Sequence, residues 1–279
     1  MGLGGYLMWT PLAREIYNRT GIKCLPIESS QGGKFIKLIE SEIFHNNPHF
    51  VQSFSEKNPS FPLVLNNQDV NYCKSDTPER AVHRYDKHVI DQICEYYGIN
   101  DTKLKCDLFL TEEELDFGRN LRKKIGKDFI SIEPHTKDQY TVNKTYPFKK
   151  WQYVVNQISK TIPIVQVGQK TDNILKDCID MTGNTSFREA ASIISFSSLF
   201  VGPEGGLMHA AHAVEVESIV VVTGFLHPKM TCYPENTNLW IGKNHGPCGF
   251  KIPCKLCAKD AEDHDPDEIV EAIKKRLYK

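Results

Sequence analysis

The chain is predicted to be an α/β protein whose sheet is parallel and covered by helices on both faces. Two observations carry this. From residue 128 onward, strand-like and helix-like segments alternate, and each strand-like segment is short, apolar and rich in β-branched residues. "DFISIE" (128–133) opens the series as a strand, and "PFKKWQYVVNQISK" (147–160) follows as a helix, with Pro147 favoured in its first turn. "IPIVQVG" (162–168) reads as a strand, and "NILKDCIDM" (173–181) and "SFREAASIIS" (186–195) read as helices. "SLFVG" (198–202) is a strand, "LMHAAHAV" (207–214) an Ala-rich helix and "SIVVVTG" (218–224) a strand. "DPDEIVEAIKKRL" (265–277) closes the chain as a helix with Asp265 as N-cap, Pro266 in the first turn and Glu268 three residues on. Before residue 128 the texture differs: polar, Pro-containing stretches such as "FHNNPHFVQSFSEKNPSFPLVLNNQDV" show little periodicity.

Ligands of parallel sheets bind at the carboxyl ends of the strands. That rule gathers "PHTKD", "GQKTD" and "GPEGG" on one rim. In the third loop a strand meets a helix through Glu204, Gly205 and Gly206, with His209 in the first helical turn. A helix start leaves N–H groups unpaired, with the positive end of the helix dipole behind them, and so favours an anion such as a phosphate. The plainer alternative is a tight turn that needs glycine. Lys144, in the loop after the first strand, adds positive charge to this rim.

The 279 residues carry a net charge of -1 with a pI near 6.8, which gives no general grip on nucleic acid or anionic membrane. No run of about 18 apolar residues occurs, and the first residues lack a basic region followed by an apolar core, so a cytoplasmic protein is expected. Nine cysteines are many for that compartment. Cys24, Cys73, Cys94, Cys106 and Cys178 are scattered and read as small buried apolar residues. Cys232, Cys248, Cys254 and Cys257 crowd together, and the two-residue gap of Cys254-Lys-Leu-Cys257 lets two thiolates face one ion. A structural zinc or iron held by these four is one expectation, reduced or paired thiols the other.

"FISIEPHTKDQYTVNKTYPFKKWQYVVNQI", "IPIVQVGQ", "MTGNTSFREAASIISFSSLFVGPEGGLMHAAHAV" and "SIVVVTGF" together resemble, in order, the donor half of glycosyltransferase family 9, the heptosyltransferase-like family. With "AVHRYDKHVIDQICEYYGI", similar to the end of that family's first domain, the resemblance covers roughly residues 81 to 277. It implies a GT-B fold of two Rossmann-like domains with parallel sheets: an acceptor-side domain over 1–127, reduced or atypical, and a nucleotide-sugar domain over 128–279. Lys144 falls on the family's phosphate-contacting lysine, Gly206 on its turn glycine and His209 on its histidine; Glu204 replaces an aspartate and Gly205 a threonine. With Thr136 and Gly168 from the neighbouring loops, these residues form the implied donor site. The implied reaction is inverting transfer of a heptose-like or hexose sugar from an ADP- or other nucleotide-sugar to an acceptor hydroxyl, with no catalytic metal.

"GGYLMWTPLARE" resembles the family's Gly-Asp-x-Leu-x-x-Thr-Pro-Leu segment, but the aspartate expected as general base falls on Gly5, and the strand expected before it would lie ahead of Met1. Glu28, Asp69, His83 and Asp86 are substitute candidates for the base. The competing expectation is a relative that binds nucleotide or glycan without turnover.

Overall fold

The structure, a computed structural model, describes residues 1–30, 34–52, 59–66, 70 and 73–278, with backbone only at 73–76 and 82. Its elements run α1 (Leu3–Leu7), α2 (Thr10–Thr20), β1 (Lys23–Ser29), β2 (Phe35–Leu38), β3 (Ser60–Val64), β4 (Cys73–Asp76), β5 (Ala81–His83), α3 (Val89–Tyr96) and α4 (Glu112–Ile125). They continue with β6 (Ile130–Ile132), α5 (Phe148–Ile158), β7 (Ile164–Gln166), β8 (Ile179–Asp180), α6 (Phe187–Ser195), β9 (Leu199–Pro203), α7 (Gly206–Ala213) and β10 (Ser218–Val222). The last are α8 (Pro228–Thr231), β11 (Thr237–Trp240), α9 (Lys255–Asp263) and α10 (Asp267–Leu277).

The second half forms a six-stranded sheet in the order β11-β10-β9-β6-β7-β8, parallel throughout. Counted from β6, this is the 3-2-1-4-5-6 order of a dinucleotide-binding fold, whose crevice opens where the winding reverses, between β6 and β9. Side-chain alternation builds the two cores. Phe129, Val165, Val167, Phe200, Val220 and Val222 pack under α6 and α7, whereas Ile130, Ile132, Ile164, Val201, Ile219 and Val221 pack under α5 and α10. Trp151, Val154, Val155 and Ile158 of α5 and Ile269, Val270 and Ile273 of α10 supply the second layer.

In the first half, β1 pairs in parallel with β3 and takes β2 antiparallel on its other side, while β4 and β5 form a separate hairpin. This smaller part is not independent of the larger one. Leu7, Trp9, Leu12, Phe50, Val89 and Ile93 belong to the same apolar cluster as Phe200 and Val220. Helix α4 lies so close to α6 that a Cβ on Gly118 would come within 2.4 Å of the Ser192 carbonyl oxygen, and the Gly118 N–H donates to Ser192 Oγ (3.1 Å). Arg188 of α6, 3% exposed, spans the junction to Glu114 (2.5 Å) and to the carbonyl of Glu42 (2.9 Å).

Most expected elements of the second half are present, with two corrections. Residues 173–181 are not helical: they run through turns into the edge strand β8. Asp177 has a left-handed φ of 62°, which breaks a helix. Gln166 of β7 accepts from the Leu175 N–H (2.7 Å), binding the segment to the sheet instead. Helix α10 starts later than expected, with Pro266 and not Asp265 in the N-cap position; the Asp265 carboxylate still accepts from the Asp267 N–H (3.0 Å), while Glu268 turns to His264 (3.6 Å). Helices α1, α2 and α4 lay outside the reading of the first half, although α4 carries a full capping box in Thr111 and Glu114.

Candidate functional site

The loops after β6, β7 and β9 meet at one end of the parallel sheet, as expected. Lys144 ends a short 3-10 turn (Val142–Lys144) whose start is capped by Thr141 Oγ1, which accepts from the Asn143 N–H (3.1 Å). Its ammonium forms an ion pair with Glu204, directly after β9. Lys144 also lies 5.8 Å from the Phe225 ring centre and, with Glu204, Thr223 and Leu226, lines a small recess. Glu204 is 8% exposed. Burial acts to raise its pKa, but the Lys144 charge and the His209 ring outweigh this, so the carboxyl is held below its ordinary value and stays ionised.

Around this pair stand the other expected residues. Thr136 Oγ1 donates to Asp138 (3.1 Å) and sits 3.1 Å from Thr145 Oγ1, whose hydroxyl also donates to Asp138 (2.9 Å), so one carboxylate folds the first loop back on the residue after Lys144. Gly168 stands at the start of the loop after β7 with a positive φ of 127°, a conformation that favours glycine, and faces Glu133. Burial pushes the Glu133 carboxyl up to about 8.

The two turn glycines differ. Gly205 has extended backbone (φ 178°), and a Cβ built on it meets no atom within 4 Å. Gly206 opens α7 and is covered by α1: a Cβ on Gly4 would come within 2.9 Å of the Gly206 Cα. Gly5 therefore sits inside a short helix packed against α7, and not on an open loop.

His209 lies deeper than the rim. It is 2% exposed, its Nδ1 is 2.7 Å from the Tyr233 hydroxyl, and burial lowers its pKa to about 3. Tyr233 also contacts Cys106 Sγ (3.1 Å) and stacks on His212 at 3.6 Å, with His88 nearby at 5.3 Å. The imidazole is thus held in the core by Tyr233, within electrostatic reach of Glu204. Tyr233 carried no motif, so only the fold reveals it.

Cys248, Cys254 and Cys257 have their sulfurs within 4.8 Å of one another. Cys232 is a correction to the expected four-thiol set: it is 5% exposed and belongs to the apolar core beside Thr231 and Glu204, and the group found among the described residues has three members. Cys24, Cys94 and Cys106 are buried free thiols as expected, Cys178 is half-buried, and the Cys73 side chain is outside the described residues. The three thiols suit a soft metal. Cys257 Sγ donates to Cys248 Sγ at 3.3 Å, which lowers the Cys248 pKa to about 6, and the Phe250 N–H also points at that sulfur (3.4 Å). The segment is pinned to the first half, because Ala81 and Lys251 N–H groups donate to Gly249 O (2.8 Å) and Glu79 O (2.8 Å).

Of the substitute bases, Glu28 is exposed and paired with Lys37 (3.3 Å), and Asp69 lies outside the described residues. Asp86 is gripped by Arg84 (2.6 and 3.0 Å), whose hydrogen bonds hold its pKa down to about 2. His83 reaches the Lys144 side: its ring packs edge-on at 6.3 Å from Phe225.

A six-stranded parallel sheet of this order is that of a dinucleotide-binding type of fold. The model of glycosyltransferase family 9 (heptosyltransferase) matches residues 50–256, and the chain belongs to this family. No curated protein gives a significant sequence match. Among solved structures, a family 9 glycosyltransferase from Veillonella parvula shares 14% identity at a TM-score of 0.71, with 100% of this chain and 95% of that one covered. The E. coli ADP-heptose lipopolysaccharide heptosyltransferase II follows at 14% and 0.65, covering 99% and 96%. The iron-containing dodecameric glycosyltransferase TibC of enterotoxigenic E. coli is similar at 13% and 0.68, covering 100% and 74%, and has also been solved with ADP-D-β-D-heptose. These likenesses give the chain the GT-B fold of family 9. No described helix is long and apolar enough to cross a membrane.

Proposed function

We propose that the protein transfers a sugar from a nucleotide-sugar to an acceptor hydroxyl, with the donor diphosphate held in the crevice between β6 and β9. The observation that carries this reading is the Lys144–Glu204 pair at the start of α7. Residues 128–279 supply the donor side and residues 1–127 the acceptor side. Lys144 places its charge on the departing diphosphate, and the N–H groups around Gly205 and Gly206 donate to the same anion. Glu204 fixes the lysine, Thr136 and Gly168 shape the loops beside it, and His209 lies within electrostatic reach of Glu204. The anomeric carbon is attacked from the face opposite the leaving group, so configuration inverts. An ADP-sugar is the working donor, because TibC has been captured with ADP-D-β-D-heptose. Cys248, Cys254 and Cys257 would hold zinc or iron as a structural crosslink, with the fourth position of a tetrahedral ion left to water or another ligand.

The second reading, binding without turnover, is favoured by Gly5, which lies inside α1 where the base was expected. Incubation with ADP-heptose separates the two: release of ADP that disappears in a Lys144→Met/Glu204→Gln variant supports transfer chemistry, and binding without any ADP release supports the second reading.

A further inference from the structure

We infer that Asn143 is a positioning residue that locks Lys144 to the cysteine segment, so that metal occupancy of the three thiols and nucleoside-diphosphate affinity are coupled. Asn143 is 5% exposed and directly precedes Lys144. Its Nδ2 donates to Phe250 O (2.6 Å) and Ile252 O (2.8 Å), and its Oδ1 accepts from the Cys254 N–H (2.8 Å). All three partners lie on the stretch between Cys248 and Cys257. The Asn143 carbonyl accepts from Thr223 Oγ1 (2.7 Å), and the Cys248 N–H donates to Gly224 O (2.8 Å), so the exit of β10 is tied to both. The thiol segment, the lysine loop and the β10 exit therefore form one hydrogen-bonded body.

The physical consequence is linkage. Ordering the 248–257 segment around a metal orders the backbone to which Asn143 is bonded, and with it the turn that ends at Lys144. A ligand that needs Lys144 in place then binds better to the ordered form, and by reciprocity strengthens metal binding by the same factor.

This inference rests on the proposed donor site, and the test keeps the two apart. ADP is titrated calorimetrically into zinc-loaded and chelator-stripped protein, and zinc affinity is measured by competition with a chromophoric chelator, with and without ADP. Stripping is expected to weaken ADP binding about tenfold in the parent protein, with the same factor appearing in zinc affinity. Asn143→Ala is expected to bind ADP equally in both forms. Asn143→Asp, which keeps the acceptor for the Cys254 N–H and loses both donors, serves if the alanine variant does not fold, and should shrink the factor. ADP binding that depends on Lys144 but ignores zinc overturns the coupling alone, as does a factor undiminished in the Asn143 variants. No ADP binding under either condition overturns the donor site and the coupling with it.

Discussion

The Lys144 ammonium and the Glu204 carboxylate form an ion pair across the crevice between β6 and β9, the two strands at which the winding of the sheet reverses. Removing one partner leaves the other charge in a largely buried place. Lys144→Ala should therefore cost about 3 kcal/mol of stability as well as nucleotide affinity. The double variant Lys144→Met/Glu204→Gln should recover most of the lost melting temperature without recovering ADP binding. Chemical denaturation of the three proteins checks this; a Lys144→Ala protein as stable as its parent would show the pair to be water-screened.

Buried histidines should make the protein sensitive to mild acid. Burial holds His209 at about 3 and His88 at about 4, and also lowers His212. A depressed pKa means that the unfolded state takes up protons first. Stability is thus fully present above about 6.5 and is lost as pH falls from there toward 4, by up to ~1.4 kcal/mol per pH unit for each histidine. Melting temperatures from pH 7.5 to 4.5 should fall steeply, and His209→Gln should flatten the slope. An equal slope in that variant would mean that its imidazole is already protonated in the fold.

Glu133 has the opposite sense. Its carboxyl is raised to about 8, so the fold binds a proton that the unfolded chain releases near 4.5. The resulting cost grows as pH rises from 4.5 to 8. Glu133→Gln should raise the melting temperature at pH 8 and leave it unchanged at pH 4; a uniform shift would argue for a packing effect.

Three thiols, and not four, should determine metal content. Cys257→Ser is expected to abolish stoichiometric zinc or iron, whereas Cys232→Ala should leave it intact because Cys232 lies in the apolar core. Elemental analysis of the purified variants decides, and metal loss in Cys232→Ala would restore the four-thiol set.

The second half was legible because its strands are continuous apolar runs and its loops carry Gly, Pro and charge, signals that local physics makes strong. The exception, residues 173–181, contains apolar residues at helical spacing, but one left-handed aspartate and one sheet glutamine decide against the helix. In the first half, α1 is held by the contact of Gly4 with Gly206, a pairing 202 positions apart that no local pattern announces. The residues proposed for the donor site, Lys144, Glu204 and Gly205, stand out in the sequence by their places after strands. Tyr233, Phe225 and Asn143 were not, since their roles come from contacts 24, 81 and about 110 positions away in sequence.

Gly205 gives the most direct test that the crevice holds a diphosphate. Its extended backbone suits any residue, and its Cβ direction is open space, so Gly205→Val should melt within about 1 °C of the parent, far less than the several degrees that 1 kcal/mol would cause. The added side chain would nevertheless stand where the anion approaches the N–H groups. Calorimetric titration with ADP should show binding to the parent protein and none to Gly205→Val. Binding at parental affinity to a normally melting Gly205→Val would contradict the account and leave the turn as architecture alone.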